Sequence, residues 1–327
     1  MRAAIYTEIG DAADVLKIVD TEAPKPGAGE VLVRIYASGV NPADTKTRSG
    51  VFPLPEGWSQ IIPHNDGAGV IDAVGAGVDE AMIGKRVWLH TAQWGGVSGT
   101  AAEYAVTRSD RVIELPKNVD FSAGATFGVP LLTARNAVLM NGPVRGKTVL
   151  VQGGAGAVGG YAIQIAKAKG ARVIATVSSD TKAEAARHAG ADAVINYKSE
   201  NVAERIAELT DGSGVDHLVE VNLSVNAATY PDIMANGGFV AVYGSDAMEA
   251  EVPAVMSLMK QLRYGFFLVY ELPRETLAKA TADLTALLEE GAITAVIHSS
   301  LPLDQIAEAH RLVESGEAQG NVVVTLN

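Results

Sequence analysis

The sequence predicts a doubly wound α/β domain set inside a β-rich one. Three observations carry this reading. Strand-like and helix-like segments alternate from Phe121 to Tyr264. Short β segments broken by Gly and Pro fill residues 1–120, and the tail 265–327 holds too little apolar material for a core of its own. The tail is expected to pack back onto the first part, which makes the α/β domain an insertion.

In the first part, "EVLVRIYASGV" alternates loosely and stops at glycine, and "GAGVIDAVGAGV" reads as a strand closed by a Gly-rich turn. "GKRVWLH" and "AAEYAVTRSDRVIEL" repeat the pattern, which predicts a strongly bent or barrel-like β region. From Phe121 the rhythm changes. "KTVLVQG", "ARVIATV", "DAVINY", "DHLVEVN" and "FVAVYG" read as strands. Between them, "AVGGYAIQIAKAKG", "TKAEAARHAG", "SENVAERIAELTDG" and "VNAATYPDIMANGG" read as helices. That alternation implies a parallel sheet covered by helices on both faces. The tail contributes a helix, "RETLAKATADLTALLEEG", a second, "LDQIAEAHRLVESG", with Asp304 as its expected cap, and a last strand, "NVVVTLN".

Composition narrows the function classes. The 327 residues suffice for two domains, and 48 % apolar with 20 % charged residues is ordinary for a globular chain. The absence of cysteine removes disulfides, thiolate zinc sites, iron–sulfur clusters and cysteine nucleophiles together. A net charge of −12 argues against nucleic acid and anionic membranes as main partners. The first twenty residues lack an apolar h-region, so no signal peptide is expected and the location is expected to be cytoplasmic. The run Thr148–Ala166 carries no charge and nearly matches a bilayer in length. Its five glycines and its change of rhythm midway fit a buried strand followed by a helix face better than a membrane span.

The motif that points to chemistry is "VQGGAGAVGG". Gly154, Gly156 and Gly159 spell G-x-G-x-x-G, directly after the first strand of the α/β array and at the start of its first helix. Bare glycines permit a tight turn and a close ligand, and the helix N-terminus offers unpaired amides to a pyrophosphate. A dinucleotide site is the expectation, against a turn used for packing alone. At the tip of the second strand, Ser178 and Ser179 stand where NAD-binding chains carry an acid, and Lys182 follows. Serine plus lysine suits the 2′-phosphate of NADPH. Asp180 is close enough to serve a ribose hydroxyl instead, or to open the next helix beside Thr181 and Glu184, which fit a capping box.

"ASGVNPADTKTRSG", "VQGGAGAVGG", "GADAVINY" and "AQGNVVVTL" occur in order over nearly the whole chain. Together they resemble the quinone oxidoreductases, the zeta-crystallin type, of the medium-chain dehydrogenase/reductase superfamily. The resemblance implies a Rossmann doubly wound parallel sheet, residues 121–264, inserted into a GroES-like β-rich catalytic domain formed by 1–120 and 265–327. It implies NADPH as cofactor, a small-molecule quinone or enone substrate, and a homodimer, with "FVAVYG" near a sheet edge between subunits. Asn41 is expected at the nicotinamide end with Thr133 beside it. Gly156, Ala157 and Val158 are expected to present backbone to the pyrophosphate. Ser178, Lys182 and Tyr197 would surround the 2′-phosphate. Asn222 with Tyr243, Gly244 and Ser245 would line the ribose and nicotinamide side through backbone contacts, and Asn321 would close over the cofactor. Without the resemblance, Asn41 before Pro42 is a simple turn residue, Thr133 a helix-turn cap, Lys182 a solvated charge and Tyr197 a strand-end shield.

No metal is expected. The zinc-dependent relatives resemble this chain but carry a cysteine at the position of Asn41 and a His-Glu pair where Asn65 and Asp66 stand. His64 falls one place early against that pattern and lacks thiolate companions. The implied reaction is hydride transfer from NADPH to a quinone or to the β-carbon of a conjugated enone. The protein's part is positioning, with donors near Asn41 stabilising the developing oxyanion. Tyr270 is a candidate acid. Relatives commonly have tyrosine where Lys46 stands, which removes an aromatic surface and a proton donor. Phe52, Trp58 and Phe267 are candidates for an apolar substrate pocket. A catalytically silent, crystallin-like NADPH-binding protein is the reading from a different class.

Overall fold

The computed structural model describes residues 1–326. The chain forms two compact units. The first holds Met1–Pro130, Thr285–Glu289 and Thr294–Asn327, and the second holds Leu131–Leu284 and Glu290–Ile293. Strands β1 (Arg2–Ile5), β2 (Lys17–Asp20), β3 (Glu30–Val40), β4 (Asp66–Val74), β5 (Arg86–Leu89), β6 (Tyr104–Arg108) and β7 (Val112–Glu114) belong to the first unit. Strands β8 (Thr148–Val151), β9 (Arg172–Val177), β10 (Ala193–Asn196), β11 (Val215–Glu220), β12 (Met234–Val242) and β13 (Arg263–Phe266) belong to the second. The tail returns to the first unit with β14 (Ile297–Pro302) and β15 (Asn321–Thr325).

In the first unit the main sheet runs β14-β15-β3-β4-β5-β7, with β6 also paired to β3, and β1 and β2 form a separate ribbon. β3 is the hub. It is eleven residues long and pairs antiparallel with β4, β6 and β15. Its register with β4 shifts twice, at Leu32/Val33 and at Ile35/Ala37, and such irregularities bend a strand. At Gly69 the two strands come so close that an added Cβ would lie 1.9 Å from the Arg34 carbonyl oxygen. Val31, Val33 and Ile35 of β3 bury one face against Ile71, Leu89, Ile306 and Val324. The tail strands, β15 paired to β3 and β14 to β15, join the core that the tail lacks alone.

In the second unit six parallel strands run in the order β10-β9-β8-β11-β12-β13. Val149, Leu150 and Val151 of central β8 are fully buried, as a parallel strand covered on both faces requires. Helices Ala157–Ala168, Asp180–His188 and Val202–Leu209 follow β8, β9 and β10. Leu150, Ile174, Leu218, Val240 and Tyr230 form one core.

Several expectations need correction. β13 straddles the division expected at Tyr264/Gly265, and the second unit continues to Leu284. "FVAVYG", expected near the sheet edge, lies one strand in from it: β12 is flanked by β11 and β13, and β13 is the edge. "VNAATYPDIMANGG" is not one helix. It is broken into Leu223–Asn226, a 3-10 turn and Tyr230–Ile233, and Met234 already belongs to β12. Pro231 has no amide to continue a ladder from the preceding turn. Asp304 does not cap its helix. It lies inside the 3-10 turn Leu303–Gln305, pairs with Arg2, and the α-helix proper starts at Ile306. The helix after β9 is capped by Ser179, whose hydroxyl accepts from the Lys182 amide, and not by a Thr181/Glu184 box.

Trp88 on β5 is fully buried and meets Phe127 edge-on, with ring centroids 6.0 Å apart. Trp88→Ala should therefore lose about 3–5 kcal/mol in chemical denaturation, because a rigid core cannot close over the void. A loss under about 1 kcal/mol, the range of surface substitutions, would show this packing to be dispensable.

Candidate functional site

Every nucleotide-site residue expected in the second unit, Thr133 aside, lies just past the C-terminal end of a parallel strand. Tyr197 follows β10, Ser178 follows β9, the glycine turn follows β8, Asn222 lies two residues beyond β11 and Tyr243 follows β12. The strand order reverses at β8 and β11, and open α/β sheets bind ligands at that switch point.

The glycines of the turn have different tasks. Gly153, outside the motif, makes the left-handed bend with φ +67°. Gly154 and Gly159 are packing glycines. A Cβ at Gly154 would fall 2.7 Å from the Ala175 Cβ, and one at Gly159 would fall 2.2 Å from the Gly153 carbonyl oxygen. Gly156 differs: a Cβ there would meet only that same oxygen, at 3.3 Å. The space over Gly156 is therefore open on the side of the main chain. Gly156 is also the N-cap of helix Ala157–Ala168, and Ala157 and Val158 hold its first two positions, whose amides have no acceptor within the helix. Thr176 and Gln152 brace the turn. The Thr176 hydroxyl donates to Gln152 Oε1 at 2.9 Å and its carbonyl accepts from Gly154 at 3.0 Å.

Around the strand ends the other residues take up fixed positions. The Tyr197 amide donates to the Val177 carbonyl at 3.0 Å, which sets Tyr197, half-exposed, beside Ser178. Ser179 caps the helix whose first turn carries Asp180 and Lys182. Asn222 is held through its side chain as well as its backbone. Its Oδ1 accepts from the Asp246 amide at 3.1 Å and its Nδ2 donates to the Asp246 carboxylate at 2.5 Å. Glu220, which the sequence reading did not single out, anchors this loop. It is buried, and it accepts from the Asn222 amide, from Asn226 Nδ2 at 2.9 Å and from the Tyr230 hydroxyl at 2.8 Å. A cavity of about 620 Å³ opens beside Tyr243, Gly244 and Ser245, lined also by Met248, Phe266 and Phe267. Tyr270 sits in the 3-10 turn Val269–Glu271 just after it, and Thr133 is buried in the first turn of helix Leu132–Leu139.

The first unit holds a buried polar cluster at one end of β3 and β4. Asn41 caps helix Pro42–Arg48, and its amide donates to Asp44 Oδ2 at 2.8 Å. Asn65 Nδ2 donates to the other Asp44 oxygen at 2.9 Å. Asn41 Nδ2 donates to Asp66 Oδ2 at 2.9 Å, and that oxygen also accepts from the Val129 amide at 2.8 Å. A Cβ at Gly128 would strike Asp66 Oδ1 at 2.2 Å, so glycine makes room for the carboxyl. Burial pushes the Asp44 carboxyl up to about 7, against the hydrogen bonds from Asn41 and Asn65. Burial, then the nearby Asp44 charge, hold Asp66 well above the usual carboxylate range, against the Val129 and Asn41 donors. Asn321 lies one residue beyond the last β15–β3 pair, Val322↔Val40, and so beside Asn41; its Nδ2 donates to the Val296 carbonyl at 3.0 Å. The sequence reading missed Asp44. Its signal was the spacing Asn-x-x-Asp, an acid at the third helical position after a capping asparagine. Among the described residues no group of three or more His, Cys, Asp or Glu side chains is placed to hold a metal ion.

Two outcomes follow. Gly156→Leu should weaken dinucleotide binding at least tenfold, about 1.4 kcal/mol, with little change in melting temperature, whereas Gly159→Ala should destabilise the fold itself. Calorimetry and titration on both variants separate the two glycines, and equal behaviour would refute the distinction. Asp44 has a raised pKa in the folded state, so its stabilising contribution is complete below about pH 4 and is lost as pH rises through about 7. The stability difference between wild type and Asp44→Asn should therefore shrink from pH 4 to pH 8, and a difference constant with pH would contradict the assignment.

The chain matches the family described as "Alcohol dehydrogenase GroES-like domain" over residues 27–117 and that described as "Zinc-binding dehydrogenase" over residues 157–286. The human protein named quinone oxidoreductase is 32 % identical over 100 % of this chain and 98 % of its own length. The solved quinone oxidoreductase of Escherichia coli, in complex with NADPH, superposes with a TM-score of 0.88 at 27 % identity, covering 100 % of both chains. A structure described as an NAD-dependent alcohol dehydrogenase is similar too, with a TM-score of 0.88 and 30 % identity over 100 % of both chains. With relatives of this identity along its full length, and with the strand-end glycine turn in place, the chain belongs to the quinone oxidoreductase branch of the medium-chain dehydrogenase/reductase superfamily.

Proposed function

We propose that this oxidoreductase uses NADPH to reduce a quinone or a similar conjugated carbonyl without zinc. The observation that carries the reading is the row of strand ends. Gly156 leaves main-chain room for a diphosphate, and past the ends of β9 and β10 Ser178, the Ser179 cap, Lys182 and Tyr197 gather a cation, hydroxyls and an aromatic ring. A dianionic 2′-phosphate suits that set better than a bare ribose does. A reduced nicotinamide nucleotide held there supplies a hydride.

The protein's own residues do the rest. Amides of Ala157 and Val158 and the helix N-terminus bind the diphosphate. Asn222, with Tyr243, Gly244 and Ser245, lines the ribose and nicotinamide side, and Thr133, Asn41 and Asn321 hold the reacting end. Asp66 accepts one of the two Nδ2 protons of the Asn41 carboxamide, and Asp44 fixes its backbone. The second Nδ2 proton is thus oriented before substrate arrives and can be donated to negative charge on the acceptor oxygen without reorganising. Tyr270 is the proposed acid. Zinc independence is supported by the donor set. At the position of Asn41 there is an amide and no thiolate, and His64 has both ring nitrogens within hydrogen-bond distance of Ser38 and His310.

One observation favours a second acceptor class. Lys46 stands where relatives carry a tyrosine, and its ammonium lies 5.7 Å from the Phe52 ring centroid. With no tyrosine hydroxyl or ring at that position, a conjugated enal or enone becomes the alternative to a quinone. The protein is proposed to be cytoplasmic. Among the described residues no helix is long and apolar enough to cross a membrane. A homodimer is proposed through the edge strand β13, where Phe266 is 65 % exposed.

Fluorescence titration should show NADPH binding more tightly than NADH, and Lys182→Ala should narrow that preference by about tenfold, the value of one charge-assisted contact. Parallel turnover with quinones and enals then ranks the acceptors. NADPH binding with no reduction of either class would leave a silent binding protein and overturn the enzymatic reading. An unchanged nucleotide preference in Lys182→Ala would overturn the assigned 2′-phosphate site.

A further inference from the structure

We propose that His310 is a positioning residue for Asn41, acting through a hydrogen-bond chain that passes along His64, Ser38 and Thr100 to the strand bearing Asp66. The proposal rests on the role of Asn41 at the reacting carbonyl. It adds to that role a residue on the C-terminal helix Ile306–Glu314.

The chain is continuous and buried. His310 Nε2 lies 2.9 Å from His64 Nε2, His64 Nδ1 lies 2.8 Å from Ser38 Oγ, and Ser38 Oγ lies 2.7 Å from Thr100 Oγ1. The Thr100 hydroxyl donates to the Asp66 carbonyl at 2.5 Å. All five residues, Ser38, His64, Asp66, Thr100 and His310, are 0 % exposed.

Proton counting fixes its direction. A carbonyl can only accept, so the single Thr100 proton goes to Asp66. Thr100 must then accept from Ser38, and Ser38 from His64 Nδ1–H. That leaves a lone pair on His64 Nε2, which only His310 Nε2–H can fill. Both rings are therefore neutral, with the proton on Nδ1 of His64 and on Nε2 of His310. Burial holds both histidines below their ordinary range, which agrees with this assignment.

Two further features show that the arrangement is held against a cost. His64 has φ +80°, a left-handed conformation unfavourable for a residue with a side chain. Its ring is kept there with a partner on each nitrogen. One helical turn beyond His310, Glu314 pairs with the buried guanidinium of Arg48, the last residue of the helix that Asn41 caps. The same helix face thus reaches Asn41 by two routes, through Asp66 and through Arg48.

The test compares His310→Leu, which fills the space without a donor, with His310→Gln, whose amide restores one. In His310→Leu, kcat with saturating NADPH should fall on the order of 10- to 100-fold, the cost of a small misplacement of a reacting group, with NADPH affinity unchanged. His310→Gln should recover most of kcat. Thr100→Val, which cuts the chain at its far end, should reproduce the loss if His310→Leu does not fold. A second readout does not need turnover: the Asn41 side-chain amide signal in nitrogen-15 spectra should shift in His310→Leu and return in His310→Gln. If the wild type reduces no acceptor, the functional reading fails while this signal still judges His310. Wild-type kcat or an unmoved Asn41 signal in His310→Leu, or equal losses in the Leu and Gln variants, would overturn the proposal.

Discussion

The nucleotide half of the molecule depends on one close approach, that of Gly159 to the carbonyl of Gly153. Any Cβ at Gly159 would sit 2.2 Å from that oxygen. The contact lets helix Ala157–Ala168 start directly above central β8 and not a few ångströms away. Neighbouring strands β9, β10, β11 and β12 end at the same side of the sheet, so the helix N-terminus lies in the middle of a row of loops. The strand-end residues assigned to the cofactor follow from that placement. The dipole end is central, the polar residues of β9 and β10 lie to one side, and Asn222 and Tyr243 lie to the other.

The first unit works under a different constraint. A buried carboxyl is tolerated only where donors replace water. Asp44 and Asp66 meet this condition by sharing the donors of Asn41, whose backbone amide serves one acid and whose side chain serves the other. The backbone of Asn41 is set by helix Pro42–Arg48, and Pro42 has no amide to waste at the first helical position. Function and packing are thus not separable here, since the residue expected to meet the acceptor also keeps two acids satisfied.

Much of this was legible in the sequence because it rests on local rules. The glycine turn, the parallel strands and the turn at Asn41 before Pro42 all announce themselves within a few residues. What was not legible depends on register. The resemblance puts "FVAVYG" near the edge between subunits, yet "RYGF", too short and mixed to be noticed, pairs with it and is the edge itself. Asp304 has the look of a cap, but a tight turn and Arg2 from the other end of the chain claim it. Glu220 and His310 carry no motif at all, and Asp44 carries only the short Asn-x-x-Asp spacing. Their roles exist only once distant strands bring partners to them, and a buried polar residue cannot be told from an exposed one by composition.

Under the proposed zinc-free reading, Asn41 also accounts for a site that lacks the ligand pattern expected of zinc-dependent relatives. A thiolate at that position would offer Asp66 no proton, and two anions would face each other in a buried site; a cation would be needed to hold them. The carboxamide inverts the requirement. It donates to Asp66, its backbone donates to Asp44, and Val129 and Asn65 complete the acceptors with neutral groups. With Asp44 held near neutrality and Asp66 higher still, the cluster needs no compensating positive charge when protonated. On that proposal, what the cluster would offer a substrate is modest: a fixed hydrogen bond and not a Lewis acid. That strength suits an acceptor already activated by conjugation, and not an alcohol whose oxygen must first be ionised.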